Sequence, residues 1–353
     1  MSLETPEDAL GVEIGDIDGD GRSDVLVLIH GSVLVYRQAE GGMLAEPTAH
    51  GATLPNAWVG RDFELGAFDG DATPDLFIGT QNDVLWLAGG AEGELLAPRR
   101  LNEQPLNSGG SLFNRIRLAD IDADGHLDAT LMATNAVDLA TYFGDGEGGL
   151  RDAAFVMNDG APLHDFALAD VTADGRPDAV GLTMLNDLVA FENLGDHFDH
   201  EPRPLARSIV DHFGHTVEAG DVDGDGRLDL LVSGGGNQPA SLVVLHSTNA
   251  FTSVSALESY EVPETVLAAD VNGDGLTDAL VAHGGWQRLG LYEQCAGSLR
   301  PERLFEVPYA SHYEHSALAI GDLDSNGCND VAIADYNAGL TILYGSCALP
   351  RIR

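Results

Sequence analysis

The 353-residue sequence contains no lysine: its 17 basic residues are all arginine, against 57 aspartates and glutamates, for a formal net charge of −40. So negative a chain is repelled by nucleic-acid phosphates and by anionic membranes, which excludes nucleic acid as a partner and argues for metal cations as counter-ions. No apolar run approaches the roughly 18 residues that a membrane-spanning helix needs, so no direct membrane insertion is expected. The opening Met-Ser-Leu-Glu-Thr-Pro has neither a basic end nor an apolar core, so no signal peptide is visible. Cysteine is scarce. Cys295, Cys328 and Cys347 are too few for a disulfide scaffold, and no pair has zinc-site spacing. Proline is modest at 15 residues, whereas glycine reaches 43, as a fold with many tight turns requires. An apolar content of 44% supplies a packed core, so the chain is not a disordered polyacid.

The acidic residues are not scattered. A nine-residue pattern, Asp-x-Asp-x-Asp-Gly-x-x-Asp, appears in full at 16–24, 120–128 and 221–229. Close variants occupy 170–178, 270–278 and 322–330, and a decayed copy occupies 67–75. The seven starts are separated by 49 to 53 residues, and 24 of the 57 acids lie inside the copies. A period near fifty is the size of a propeller blade, a four-stranded antiparallel sheet. The text between copies agrees. A short apolar stretch such as Phe166-Ala167-Leu168-Ala169 precedes each one, and stretches such as Leu230-Leu231-Val232 and Leu242-Val243-Val244-Leu245 follow.

The expected fold is therefore all-β, a single seven-bladed propeller. Its blades fall at about 9–57, 58–109, 110–161, 162–211, 212–262, 263–311, and 312–347 completed by 1–8. The last repeat runs out after its third strand while the first loop begins only fifteen residues into the chain, so the N-terminal residues are expected to supply the missing strand and close the ring.

Alternate carboxylates at loop positions 1, 3 and 5 can turn toward one point if the chain curls, which glycine at position 6 permits; aspartate at position 9 then closes the shell. Hard oxygen donors in a flexible loop favour Ca²⁺. The expected ligands are Asp16, Asp18, Asp20 and Asp24; Asp120, Asp122, Asp124 and Asp128; Asp170, Asp174 and Asp178; Asp221, Asp223, Asp225 and Asp229; Asp270, Asn272, Asp274 and Asp278; and Asp322, Asp324, Asn326 and Asp330. Blade four offers Thr172 at position 3. Blade two, with Ala67 and Ala72 at positions 1 and 6, is expected to be weak or empty, leaving five or six structural Ca²⁺ sites.

These loops resemble those of the FG-GAP/VCBS repeat family, to which the integrin α-subunit propeller belongs, and the resemblance covers essentially the whole chain. Phe-Gly precedes a loop only at Phe213-Gly214, closer to the VCBS-type variant. The resemblance implies a calcium-stabilised, extracellular or cell-surface propeller used for adhesion, for carbohydrate binding or as a scaffold. Some similar propellers are lectins and others polysaccharide lyases, so the fold does not fix the function.

In an up-and-down blade the acidic loops share one face, and the second-to-third turns and blade connections share the other. Residues six before each loop, Leu10, Arg61, Asn114, His164, His215, Glu264 and Ser316, with His315 adjacent, are expected to ring the channel mouth on that second face. Trp286, Tyr309, His312, Tyr313 and Tyr336 gather aromatic surface nearby, which suits a sugar ring. The leading expectation is a binding module for a glycan or protein, as a monomer or within a larger surface protein. The rivals are a lyase in which Arg61 binds a uronate while a histidine or Tyr313 takes the proton, and a scaffold with no ligand. Cys328 and Cys347 are expected on one face, either disulfide-bonded or as free thiols, and Cys295 is expected free.

Overall fold

The computed structural model describes residues 1–50, 60–71, 73–80, 84–90, 93–101, 112–134, 137–156, 161–210, 213–235 and 240–346. These residues form seven four-stranded antiparallel sheets and one short ribbon, Gln38–Ala39 with Met43–Leu44. Blade five shows the plan: Gly214–Gly220, Asp229–Gly235, Ala240–His246 and Ser253–Glu258 pair in sequence order. The other inner strands are Gly11–Gly15, Gly60–Gly66, Leu112–Ala119, Leu163–Ala169, Pro263–Ala269 and Leu318–Gly321. They neighbour one another around a central channel.

Each second strand begins at the position-9 aspartate and continues as an apolar run, as in Asp24–Ile29, Asp178–Thr183 and Asp330–Asp335, every residue of which is buried. The run does not alternate because neighbouring blades cover both faces of the sheet. Seven apolar clusters result, one at each junction between successive blades. At the junction of blades four and five, for example, Val180 and Leu182 meet Val217, Leu230 and Val232. The cluster joining blades seven and one packs Ala332, Leu340 and Ile342 against Val12, Val25 and Val27. The remaining five clusters complete the circle.

The ring closes as the sequence implies. Ser2–Leu3 pairs antiparallel with Gly339–Leu343, placing Ser2 opposite Thr341 and Leu3 opposite Leu340. The Met1 ammonium donates to Ile342 O at 2.7 Å, and Ile342 N–H donates to Met1 O at 2.8 Å. Gly339 adopts φ +83°, and a Cβ there would meet Leu3 O at 2.5 Å, so the closing strand requires glycine at this position.

Polar latches join the inner strands. Residues five before the loops reach the next blade's backbone: Asp62 accepts from Ile116 N–H and Asp165 from Val217 N–H, both at 2.8 Å. Thr216 Oγ1 accepts from Val266 N–H at 3.1 Å, and Thr265 Oγ1 donates to Glu314 O at 2.7 Å.

Removing residues 1–4 deletes two or three strand hydrogen bonds, each worth about 1 kcal/mol, together with the Leu3 contact. The truncated protein is expected to lose about 3 kcal/mol of unfolding free energy by denaturant titration. An unchanged midpoint would show that the ring does not depend on its closing strand.

Candidate functional site

Each acidic loop joins the first strand of its blade to the second. The position-1 carboxylate folds over the curl: Asp16 accepts from the N–H groups of Asp20 and Gly21, and Asp120, Asp170, Asp221, Asp270 and Asp322 do the same in their blades. The position-5 oxygen accepts from the N–H at position 7, as in Asp20 with Arg22 and Asn326 with Cys328. In every loop but that of blade two, the residues at positions 4 and 6 adopt positive φ, Gly19 (+72°) and Gly21 (+82°) in blade one; in blade two Gly70, at position 4, does so. The motif identified only position 6 as needing this freedom. Glycine at position 4 in Gly19, Gly70, Gly224 and Gly273 was the signal for the other, with Ala123, Ala173 and Ser325 tolerating the strain elsewhere.

Position 9 does more than the sequence reading assigned to it. All seven of these aspartates are wholly buried. One oxygen of each accepts a backbone N–H from the end of the third strand, at 2.7–2.9 Å: Gln38 for Asp24, Gly89 for Asp75, Gly144 for Asp128, Asn193 for Asp178, Ser247 for Asp229, Gln294 for Asp278 and Gly345 for Asp330. In every blade but five the other oxygen accepts the position-2 N–H, at 2.7–3.2 Å. The carboxylate thus ties the loop to the third strand through the interior.

Burial raises these carboxyls. Asp24 and Asp128 are pushed up to about 6, mainly by desolvation, with their backbone hydrogen bonds opposing. Asp75, Asp178, Asp229, Asp278 and Asp330 shift the same way.

Groups of three carboxylates with ligand atoms within 4.8 Å of one another occur, among the described residues, in blade one (Asp16, Asp18, Asp24), three (Asp120, Asp122, Asp128), five (Asp221, Asp223, Asp225) and seven (Asp322, Asp324, Asp330). One oxygen each of Asp18 and Asp122, at position 3, is buried without a hydrogen-bond partner. An acceptor left without a donor in an acidic concavity is what a coordinating cation satisfies, so these residues fit a hard metal ion. Arginines also approach the loops: Arg151 contacts Asp122 at 2.6 Å and Asp124 at 2.9 Å, Arg22 contacts Asp20, and Arg176 contacts Asp174.

The channel itself carries charges that the sequence reading missed. Glu13, Glu64, Arg117 and Glu218 lie three positions before their loops and line, with Arg115, a cavity of about 370 Å³. Arg115 pairs with Asp165 at 3.1 Å and with Glu218 at 3.3 Å, and Arg117 pairs with Glu218 at 3.0 Å. Burial holds Glu64 at about 7 and raises Glu13 further above its ordinary value. The same repeat alignment, shifted by three residues, would have exposed this layer.

At the mouth away from the loops, His164, His215, Glu264, Glu314 and His315 surround a smaller cavity of about 160 Å³ with Tyr313 and Thr216. Desolvation lowers all three histidines, and it raises Glu264 to about 7 against the hydrogen bond from Tyr313 N–H at 2.6 Å. Two expectations fail here. Leu10 is not on the rim but in the core between blades one and two, where an apolar side chain has more to gain. Tyr313 is 7% exposed and belongs to the core between blades six and seven, and burial pushes its hydroxyl up, away from service as a base. The side chains of Arg61 and Asn114 lie outside the described residues.

The aromatic group does reach the face opposite the loops. Trp286 stands in the second-to-third turn of blade six, 37% exposed, edge-on to Tyr260 at 6.0 Å. Tyr309 is 51% exposed in the connection to blade seven, and the half-buried His312 and Tyr336 rings lie in tilted contact with centroids 4.0 Å apart. Cys328 is disulfide-bonded, and its expected partner Cys347 lies outside the described residues. Cys295 is a free thiol that accepts from Arg300 at 3.0 Å.

A closed ring of seven sheets, with an acidic loop between the first two strands of each, defines a repeat-built β-propeller. The FG-GAP-like repeat family matches the sequence at residues 16–78, 170–232 and 221–281, and the chain is a β-propeller built of FG-GAP-like repeats. No curated protein matches the sequence. Among solved structures, a lectin from Burkholderia pseudomallei superposes with a TM-score of 0.68 at 14% identity, covering 95% of each chain. An Agrocybe aegerita lectin that recognises non-reducing terminal N-acetylglucosamine gives 0.63 at 17%, covering 94% of this chain and 84% of its own. A catalytically inactive virginiamycin B lyase from Staphylococcus aureus, bound to quinupristin, gives 0.63 at 11%, covering 97% of each. At these identities the likeness is one of fold.

The latch can be separated from any metal role. Asp128→Asn puts an amide donor against backbone N–H groups and is expected to cost about 1–3 kcal/mol even in EDTA. Asp122→Asn should cost more with cation present than in EDTA, where only its ion pair with Arg151 is weakened. Between the ordinary aspartate value near 3.9 and about 6, the folded chain retains protons that the unfolded chain releases, so metal-free stability falls as pH rises through that window. The lowered histidines act in the opposite sense but are fewer than the seven raised aspartates. Melting of the chelated protein from pH 4 to 7 should therefore show a declining midpoint, and a rising one would contradict the assigned shifts.

Proposed function

We propose that this chain is a calcium-stabilised extracellular propeller that binds glycans through the face opposite its acidic loops. The observation that carries the reading is the aromatic surface on that face: Trp286 and Tyr309 are exposed, and the half-buried His312 and Tyr336 lie in tilted ring contact. Planar rings that are apolar on the face and rimmed by polar neighbours offer a sugar ring both contact area and hydrogen bonds. The lectins of similar fold support carbohydrate as the ligand class.

Calcium is supported by the buried unpartnered oxygens of Asp18 and Asp122 and by the mutual repulsion of carboxylates held within 4.8 Å. In this reading the ligands are the loop residues of blades one, three, four, five, six and seven, and the ions neutralise and pin the loops. Each site contributes about 2.7 kcal/mol when calcium stands a hundredfold above its dissociation constant. The disulfide at Cys328 supports an oxidising, extracellular setting. The chain acts there alone or within a larger surface protein.

A lyase at the channel mouth is the second reading, favoured by Glu264 at about 7 beside three histidines. Glu264, rather than Tyr313, would then be the proton-transfer group. Against it, the described channel cations Arg115 and Arg117 are already paired with Asp165 and Glu218, which leaves neither free to hold a uronate.

A glycan array probed with calcium-loaded and EDTA-treated protein tests the proposal. Binding is expected with calcium. Trp286→Ala or Tyr309→Ala should weaken it tenfold or more, on the scale of interface anchors, without lowering the melting midpoint. Unsaturated product from an acidic polysaccharide, abolished by Glu264→Gln, would favour the lyase instead. No glycan bound under either condition would leave a scaffold.

A further inference from the structure

Blade five departs from its siblings at the buried latch. Asp229 is wholly buried and accepts Ser247 N–H through Oδ1 at 2.8 Å, but its Oδ2 has no hydrogen-bond partner. That oxygen faces His246, the last residue of the third strand. His246 Nδ1 stands 3.6 Å from Asp229 Oδ2 and 3.4 Å from Asp223 Oδ2, is itself buried, and has no hydrogen-bond partner. The three donor atoms lie within 4.8 Å of one another. At the equivalent strand end the other blades carry Arg37, Ala88, Phe143, Glu192, Glu293 and Tyr344, so the imidazole belongs to blade five alone.

The second ring nitrogen has a partner of its own. His246 Nε2 lies 3.0 Å from Ser255 Oγ, on the adjacent outer strand Ser253–Glu258. With Nε2–H donating to that hydroxyl, Nδ1 turns its lone pair toward two carboxylate oxygens. Three electron-rich atoms converging in one place repel one another unless a metal cation, or a proton on Nδ1, sits among them.

We propose that blade five holds a first-row transition ion, of which Zn²⁺ is the representative, on Asp223, Asp229 and His246, with Ser255 orienting the imidazole. Calcium takes oxygen ligands at 2.3–2.6 Å, whereas imidazole suits zinc and its neighbours. Tetrahedral bonds of about 2.1 Å place ligand atoms about 3.4 Å apart, close to the 3.4 and 3.6 Å separations from Nδ1 to the two carboxylates. The site shares Asp223 and Asp229 with the blade-five acidic loop, so that blade takes either the softer ion or calcium. The site does not depend on calcium filling the other loops.

The test is a Co²⁺ titration of the full chain, stripped of metal and then saturated with calcium, followed by visible absorption, with bound calcium counted in the same samples. One equivalent of cobalt with a tetrahedral visible band, displaced by Zn²⁺, is expected. His246→Gln should abolish the band and leave calcium uptake at the other loops unchanged, and Ser255→Ala should weaken cobalt about tenfold. Absence of a band in the parent protein, its persistence in His246→Gln, or displacement of cobalt by millimolar calcium would each overturn the assignment. The first of these is also the outcome if His246 is simply an imidazolium held between two carboxylates. Melting of both variants in EDTA checks that they fold as the parent does. Failure of calcium uptake alone would count against the calcium reading and not against this one.

Discussion

A carboxylate buried where water cannot reach it organises this molecule. In each blade the position-9 aspartate sits in the interior and gathers a backbone N–H from the end of the third strand, with a second from the loop in six of the seven. Desolvation works against its charge while the hydrogen bonds work for it, and the compromise is a carboxyl raised toward neutrality. In blades one, three and seven the loop it anchors brings two further carboxylates alongside. That geometry is self-repelling in a chain already at −40, and it is one that a metal cation could relieve.

The same topology separates two tasks. Because every acidic loop joins the first strand of a blade to the second, all the loops fall on one face of the ring. The second-to-third turns and blade connections fall on the other, where no repeat constraint dictates sequence. There the chain places Trp286, Tyr309 and the tilted His312–Tyr336 pair, together with the histidines and Glu264 of the mouth. Between the faces runs a channel in which Arg115 and Arg117, among the described residues, are already paired with Asp165 and Glu218.

The fold and its stabilising loops were legible because they repeat. A motif seen once is weak, but seven starts at a pitch of 49 to 53 residues leave a ring of four-stranded sheets as the economical solution, and the shortfall of one strand in blade seven identified the role of Ser2–Leu3. Legibility declined where residues stop repeating. Leu10 was placed by counting backward from its loop and Tyr313 with the other aromatics of that face, and both lie in the core instead, because a large apolar side chain beside a blade junction gains more by burial there than at the rim. The channel charges at Glu13, Glu64, Arg117 and Glu218 obey the repeat as well, three positions before the loops of blades one, two, three and five.

From the sequence alone came the class of fold, the number of blades, the closing strand and the residues that gather around each loop. Those follow from composition and spacing, which are local and periodic. The buried latch of position 9, the pairing of Arg115 with Asp165 and Glu218, and the meeting of His246 with Asp223 and Asp229 needed the tertiary structure. Each of these depends on which side chains share a low-dielectric space across strands or blades, and no linear spacing encodes that distance.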